Sequence, residues 1–386
     1  MAFPQRGCTT AYDPKRDDRT PYQQARFGKG LKGINVWYGA EYTTTLVLDL
    51  PMPEGAENAA PIDRRGWCIF ERKLSIVRKS AGCFLALSQA ANAEGPYWLD
   101  LVGACIAGRE PPLAPDAFEA MLRAGMAREA EAAGSGFRFT NGKDATSICI
   151  PQYREGFLRL MGAEGGLVYA NLGWGDADAA TLAAALAYAH AHGATSQAEG
   201  LFLSSNRLTD AALPPLVAVI EAGALPELRA LSLERNAFTD AALVTLRPLL
   251  AGRLSSLRFP LVLLCLGSRL TAEGVRSLVA LLADGHLRGL QTLYLSNNPA
   301  LGDAGAAALA AALAKGWLPA LETLELDETG MGDAGAAALA DALVGAPALE
   351  ELVVGRNAFG EGAAEALRAA CAARGVAAMR TPFDAL

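Results

Sequence analysis

Hydrophobic and polar positions along this chain follow two periods that take turns. From about residue 200 onward, short Leu-x-Leu stretches alternate apolar and polar residues, the mark of a strand with one buried face. Between them run Ala- and Leu-rich stretches at helical spacing. Six of the short stretches end alike: Leu201–Asn206, Leu231–Asn236, Leu263–Ser268, Leu293–Asn298, Leu324–Thr329 and Leu352–Asn357. Their last residues are 30, 32, 30, 31 and 28 positions apart, a register that leucine richness alone does not keep. A seventh stretch, Leu167–Leu172, stands 34 residues before Asn206 and reads as the opening unit.

Each position in the unit has a physical reading. The asparagine closing the strand bonds its side-chain amide to backbone groups of the turn, so successive asparagines form a ladder. Next come Leu208-Thr209-Asp210, Phe238-Thr239-Asp240, Leu301-Gly302-Asp303 and Met331-Gly332-Asp333, where Thr or Asp suits a helix N-cap. Ala-rich helices such as Ala304–Lys315 and Ala334–Val344 follow, closed by Gly316 and Pro347. One strand plus one helix cannot bury its apolar side alone, so neighbours must stack. The expected fold class is α/β: a solenoid over residues 166–378, of six to seven repeats, with parallel strands on a concave face and helices on the convex one.

The unit L-x-x-L-x-L-x-x-N-x-L-x-D-x-G resembles the ribonuclease-inhibitor-like leucine-rich repeats, which also build the sensor halves of NOD-like receptors and the Ran GTPase-activating proteins. The unit around Cys265 departs from that pattern, with Ser268 for asparagine and Pro260 at the strand start, which predicts a distorted strand; Thr329 weakens the ladder. The resemblance implies protein binding on the concave face. The residues placed there are Phe202, Ser204, Ser205, Ser232, Glu234, Arg235, Tyr294, Ser296, Asn297, Glu325, Asp327, Glu328, Glu351, Val353 and Arg356. Glu234, Glu325, Asp327, Glu328 and Glu351 make an expected acidic patch for a basic segment of a partner, with Phe202 and Tyr294 as aromatic anchors. The alternative is an ordinary solvated face, since exposed strand positions are polar anyway.

Residues 1–165 lack the repeat and read as a small α/β domain. Tyr22–Leu31, Gly66–Lys79, Asp116–Ala132 and Ile148–Met161 have helical spacing, with Trp67, Phe70, Leu74 and Val77 on one face of the second. Ile34–Tyr38 and Thr44–Leu50 read as strands. Gly28, Gly30 and Gly33 match G-x-G-x-x-G, but a dinucleotide site needs that motif between a strand and a helix, and here it leads into a strand-like stretch. Arg65–Glu71 resembles the W-C-x-x-E segment opening a helix in Toll/interleukin-receptor (TIR) domains. In the NAD-cleaving members its glutamate is catalytic, which maps to Glu71. Only 66 residues precede Trp67 and the opening strand of such domains is absent, so the match is to a truncated module. The competing reading makes Trp67 and Phe70 core and Glu71 a first-turn carboxylate.

Composition narrows the function classes. The 386 residues are 52% hydrophobic with net charge −7, so disorder and general nucleic-acid binding are both disfavoured. Seven scattered cysteines contain no C-x-x-C pair, and reduced buried thiols are expected rather than disulfides or zinc. His190, His192 and His286 sit in no catalytic motif, and the first two read as helix caps; Trp174 and Asp176 read as a cap on an exposed first coil. No Walker A sequence occurs, Met1–Gly7 holds no apolar leader, and the longest apolar runs fall well short of the roughly 20 residues a bilayer requires. The expectation is a cytoplasmic, non-enzymatic protein-interaction module, without cofactor or metal and not bound to nucleic acid or membrane. NAD cleavage through Glu71 is the enzymatic alternative. Regulation of a small GTPase in the manner of the Ran activators is a third, although those carry a longer array and an acidic tail.

Overall fold

The computed structural model describes residues 20–40, 43–52, 54–55, 60–106, 109–139, 141–194, 197–252, 261–264, 269–376 and 378–380. The first part contains helices α1 (Pro21–Lys32), α2 (Ile34–Gly39), α3 (Gly66–Ser75), α4 (Trp98–Cys105), α5 (Pro115–Glu131) and α6 (Ile150–Met161). Its strands β1 (Thr45–Val47) and β2 (Phe84–Ala86) form a two-stranded parallel sheet. The Ile34–Tyr38 strand expectation is wrong. Ile34, Asn35 and Gly39 are buried, a helical and not an alternating spacing. Gly39 lies so close to α6 that a Cβ there would stand 2.8 Å from Leu160.

From residue 165 the chain alternates strand and helix without a break: β3 (Gly165–Val168), α7 (Asp176–Ala191), β4 (Ala198–Phe202), α8 (Leu213–Glu221), β5 (Ala230–Ser232) and α9 (Asp240–Ala251). The series continues with β6 (Leu261–Leu264), α10 (Ala272–Ala283), β7 (Leu290–Tyr294), α11 (Gly302–Ala314), β8 (Thr323–Glu325), α12 (Asp333–Ala342), β9 (Glu351–Val353), α13 (Glu361–Arg374) and β10 (Ala378–Arg380). Strands β3 to β10 form one eight-stranded parallel sheet in sequence order, and each helix packs on the next. Strands stack about 4.8 Å apart whereas helices need 8–10 Å, so the stack bends with its strands inside. The strand leucines Leu201, Leu231, Leu293, Leu324 and Leu352 are all buried in one continuous core. The sheet register slips between Leu261 and Val262, at the unit where a distorted strand was expected; Pro260 and Cys265–Ser268 themselves lie outside the described residues.

Two side-chain ladders join the coils. Asn206 Nδ2 donates to Tyr169 O of the preceding coil and to Leu203 O of its own, while its Oδ1 accepts from the backbone of Leu172 and Trp174. Asn236 repeats this with Leu203 O, Leu233 O and the Leu208 N–H, and Asn357 with Leu326 O, Val354 O and the Met331 N–H. Thr329 gives its hydroxyl to Leu326 O of its own coil at 2.9 Å. It lacks the second polar arm of an amide, so the ladder is thinner there, as expected.

The second ladder was not foreseen. Thr209 and Thr239 are helix N-caps as read from sequence, and Thr271 is a third. The aspartates after the first two, however, turn toward the following coil. Asp210 accepts from Thr239 N at 2.9 Å and Thr239 Oγ1 at 2.6 Å, and Asp240 accepts from the same two atoms of Thr271. Asp176 does so for Thr209, and Asp303 and Asp333 reach the backbone of Gly332 and Gly360.

The first coil is covered rather than exposed. Trp174 is fully buried, stacks on Tyr169 with centroids 5.0 Å apart, and donates its indole N–H to Arg109 O at 2.7 Å. Arg109 is itself buried, donating to Ile76 O while its guanidinium lies over the Tyr169 ring. Arg78 donates to the carbonyls of Leu160 and Ala163 at the end of α6. Aromatic contacts pass from Phe118 through Tyr153 and Phe157 to Tyr188 of α7. The expectation that Trp174 and Asp176 cap an open end therefore gives way: α6 and the α3–β2 connection cover the apolar end of the stack, and Asp176 belongs to the aspartate ladder. His192 closes α7, its Nδ1 2.8 Å from Tyr188 O, as anticipated for a terminal cap.

Removing a ladder asparagine strands several buried backbone groups at once. Asn236→Ala should cost about 3 kcal/mol in urea unfolding, from the loss of satisfied buried polar groups. Asn357→Ala, at a half-buried position, should cost clearly less. A loss below about 1 kcal/mol for Asn236→Ala would contradict the bridging role assigned to the amide.

Candidate functional site

Strand register sets the candidate site. The residues between the strand leucines form one row across the sheet: Val168, Phe202, Ser232, Leu264, Tyr294, Glu325 and Val353. Two residues earlier runs a second row of smaller side chains: Gly166, Gly200, Ala230, Val262, Thr292, Thr323 and Glu351. Outside β6, their alternation with the buried leucines turns both rows to the concave face.

Of the residues expected on this face, Phe202, Ser204, Ser205, Glu234, Tyr294, Asn297, Glu325, Asp327, Glu328 and Glu351 are half-buried, and Arg235 and Arg356 are exposed. Ser232, Ser296 and Val353 are not available there, because they are buried. Ser296 Oγ accepts the Asp327 N–H at 3.0 Å, so it bridges coils. Ser232 is short and flanked in register by Phe202 and Leu264, and Val353 lies in register between Glu325 and Arg380.

The expected acidic patch divides in two. Arg356 pairs with Glu328 at 2.7 Å and lies 3.5 Å from Asp327, which offsets that pair of carboxylates. Glu325, the register neighbour of Tyr294, instead acts on that residue electrostatically, together with Glu351 and Glu234. Burial pushes the Tyr294 hydroxyl up from its ordinary value, and these three carboxylates, in that order, push it further. An aromatic ring with a polar tip thus stands beside Glu325 near the middle of the sheet, in the field of two further acids. At the other end, Phe202 lies flat across two glycines: a Cβ at Gly200 would meet its ring at 2.4 Å and one at Gly166 at 2.8 Å. The missing Cβ atoms are what let the ring lie down.

One recurring feature of the face escaped sequence reasoning. Asn171, Ser205, Arg235, Asn297, Glu328 and Arg356 all have φ between 51° and 60°. Each immediately precedes the ladder position, so a left-handed residue turns the chain in coil after coil. For a non-glycine residue this costs roughly 1 kcal/mol, and the amide bonds on either side hold it in place. Only the recurring position of these residues, four of the six directly before asparagine, signals it in the sequence.

Glu71 occupies a different environment. It lies one turn into α3, where its carboxylate accepts a hydrogen bond from the Tyr38 hydroxyl. Trp67 donates its indole N–H to Asp144 at 3.0 Å, and Phe70 is fully buried, edge-on to Trp67. Burial raises the Glu71 carboxyl above its ordinary value, opposed by the Tyr38 hydrogen bond. Burial also raises Cys149 to about 12, with Asp144 and Glu71 adding to it. Gly28 and Gly30 lie inside α1 and Gly33 caps it, which is not a dinucleotide arrangement. Among the described residues no cluster of histidine, cysteine and carboxylates is arranged to hold a metal.

A leucine-rich-repeat family model matches residues 286–310 and 319–340, which together contain β7, β8 and most of α11 and α12. No curated protein matches the chain. Among solved structures, an internalin (InlF) from Listeria monocytogenes strain 4b F2365 is similar at 16% identity with a TM-score of 0.34, over 58% of this chain and 62% of its own. The chain thus spans less than two thirds of the internalin. A chain of the yeast Rad7–Elc1 complex is similar at 12% identity with a TM-score of 0.28, over 88% of this chain and 77% of its own. The family match and the coil geometry together support leucine-rich repeats in this part of the chain.

The raised Glu71 carboxyl has a consequence for stability. A raised value means the folded state favours the protonated acid, so this contribution is present below the ordinary glutamate value and lost as pH climbs through the raised one. Glu71→Gln stays neutral and keeps an oxygen for Tyr38. Its melting temperature relative to wild type should rise as pH climbs above about 4. A constant or falling difference would show that Glu71 ionises without penalty.

Proposed function

We propose that the chain is a protein-interaction module that docks a basic segment of a partner protein on its concave face, in the neighbourhood of Tyr294. The carrying observation is the placement of Tyr294 in register with Glu325, with Glu351 and Glu234 adding to the negative field at its hydroxyl. A tyrosine offers a large, stiff contact surface, and these carboxylates favour lysine or arginine beside it. Phe202, laid over its glycines, supplies a second, preorganised apolar contact. Arg356, already engaged with Glu328 and Asp327, bounds the acidic region on the C-terminal side. The leucine-rich-repeat architecture supports the reading, since stacked coils give an extended surface with alternate side chains directed outward.

Fluorescence anisotropy with a labelled lysine- and arginine-rich peptide tests this. The peptide should bind in a salt-dependent manner. Glu325→Lys/Glu351→Lys should weaken it about tenfold or more, at roughly 0.7 kcal/mol per reversed charge. Tyr294→Ala should weaken it about as much. If all three proteins bind the peptide alike, the concave site is wrong.

A second reading follows from Glu71, whose burial-raised carboxyl is the kind of group that exchanges protons in catalysis. It predicts NAD turnover that disappears in Glu71→Ala. Equal background turnover in both proteins leaves Glu71 as a packing residue of α3.

A further inference from the structure

The repeat half does not account for the other end of the molecule. Large hydrophobic side chains that stay exposed are concentrated in the first hundred residues, and a group of them sits on α1 and α2: Tyr22 at 68%, Trp37 at 67%, Val36 at 50% and Phe27 at 39% exposure. Between residues 20 and 40 the sequence holds Arg26, Lys29 and Lys32 and no aspartate or glutamate, in a chain of net charge −7. Arg159 of α6 reaches α2, its guanidinium donating to Asn35 O at 3.1 Å; Glu155, one turn earlier on α6, is exposed. The charge is divided along the chain: residues 1–105 hold 13 basic and 11 acidic residues, and residues 106–386 hold 21 and 30.

We propose that the α1–α2 segment is a docking surface for an anionic lipid bilayer. Two features select this occupant. Tyrosine and tryptophan beside lysine and arginine is the composition that settles at the headgroup level, where rings enter the acyl boundary and cations meet lipid phosphates. The segment is positive while the repeats are negative, so an anionic surface attracts this end and repels the other. Exposed apolar residues continue in sequence beyond it, at Leu46, Leu48 and Leu50, every second position. Thr43 ties that stretch to the end of α2 by donating its hydroxyl to Ala40 O at 2.9 Å. Among the described residues no helix is long and apolar enough to cross a membrane, so attachment at this segment is peripheral.

Co-sedimentation of the full chain with phosphatidylcholine vesicles, with and without phosphatidylserine, tests the proposal. The protein should pellet with the anionic vesicles and remain in solution with the neutral ones. Arg26→Glu/Lys29→Glu should lower binding about tenfold or more, and Trp37→Ser should lower it severalfold. All three positions are exposed, so each variant should melt as wild type does. Glu325→Lys/Glu351→Lys, which acts on the concave face, should not weaken vesicle binding, so the two proposals fail separately. Equal pelleting with neutral and anionic vesicles, or no pelleting, overturns the proposal. So does concentration-dependent self-association in ultracentrifugation that Arg26→Glu/Lys29→Glu abolishes, which would make a second copy the occupant.

Discussion

A single coil of this protein has two debts it cannot settle alone: an apolar side with nothing to cover it, and turn backbone with too few hydrogen-bond partners. The ladder asparagines answer the second, and in doing so fix how the first is answered. Asn206, Asn236 and Asn357 each use both arms of the amide, donating to carbonyls of two coils and accepting backbone N–H groups of the preceding one. That geometry sets the distance and register between coils, so the leucines above and below meet in a continuous core. The left-handed residue before each ladder position follows from it, because the chain must turn sharply to bring the amide inward.

The aspartate ladder repeats this logic at the start of the helices. A carboxylate in the first turn is favoured by the helix dipole whichever way it points. Here it also accepts both donors of the next coil's threonine, so a helix cap becomes a link between neighbours. Where threonine gives way to glycine, as at Gly332 and Gly360, the backbone bond is kept and the hydroxyl bond is lost. These later coils compensate through tighter helix packing, since a Cβ at Gly335 would stand 3.0 Å from that of Ala306.

What could be read from the sequence follows from which forces are local. Leucine spacing, the asparagines and the threonine caps each report a contact made within a coil or to its neighbour, and the structure has them as read. Ile34–Tyr38 reads as a strand because its apolar residues are few and adjacent, and only the close approach of α6 at Gly39 makes it a helix. The burial of Ser232 and Ser296 depends on neighbours about thirty residues away, which no local pattern reports. The candidate site was legible to the same extent. Phe202, Tyr294 and Glu325 lie on one row as counted, whereas the pairing of Arg356 with Glu328 and the glycine bed beneath Phe202 needed the stack itself.

The N-terminal part illustrates how a repeat array ends. A stack of apolar coils must be closed by something that is polar outside and apolar inside. Here α6 and the connection after α3 supply the inner surface, and buried cations supply the fastening. Arg78 closes the carbonyl end of α6, while Arg109 reaches from Ile76 O to the Tyr169 ring of the first coil. A buried guanidinium is costly unless its hydrogen bonds are met, and these are met largely by backbone carbonyls, which cannot be removed by substitution. Burial lowers Arg109 to about 10, so it still carries its charge near neutrality. Fastening by backbone acceptors ties the cap to the first coil without spending any carboxylate, which leaves the acids of the chain for the aspartate ladder and the concave face.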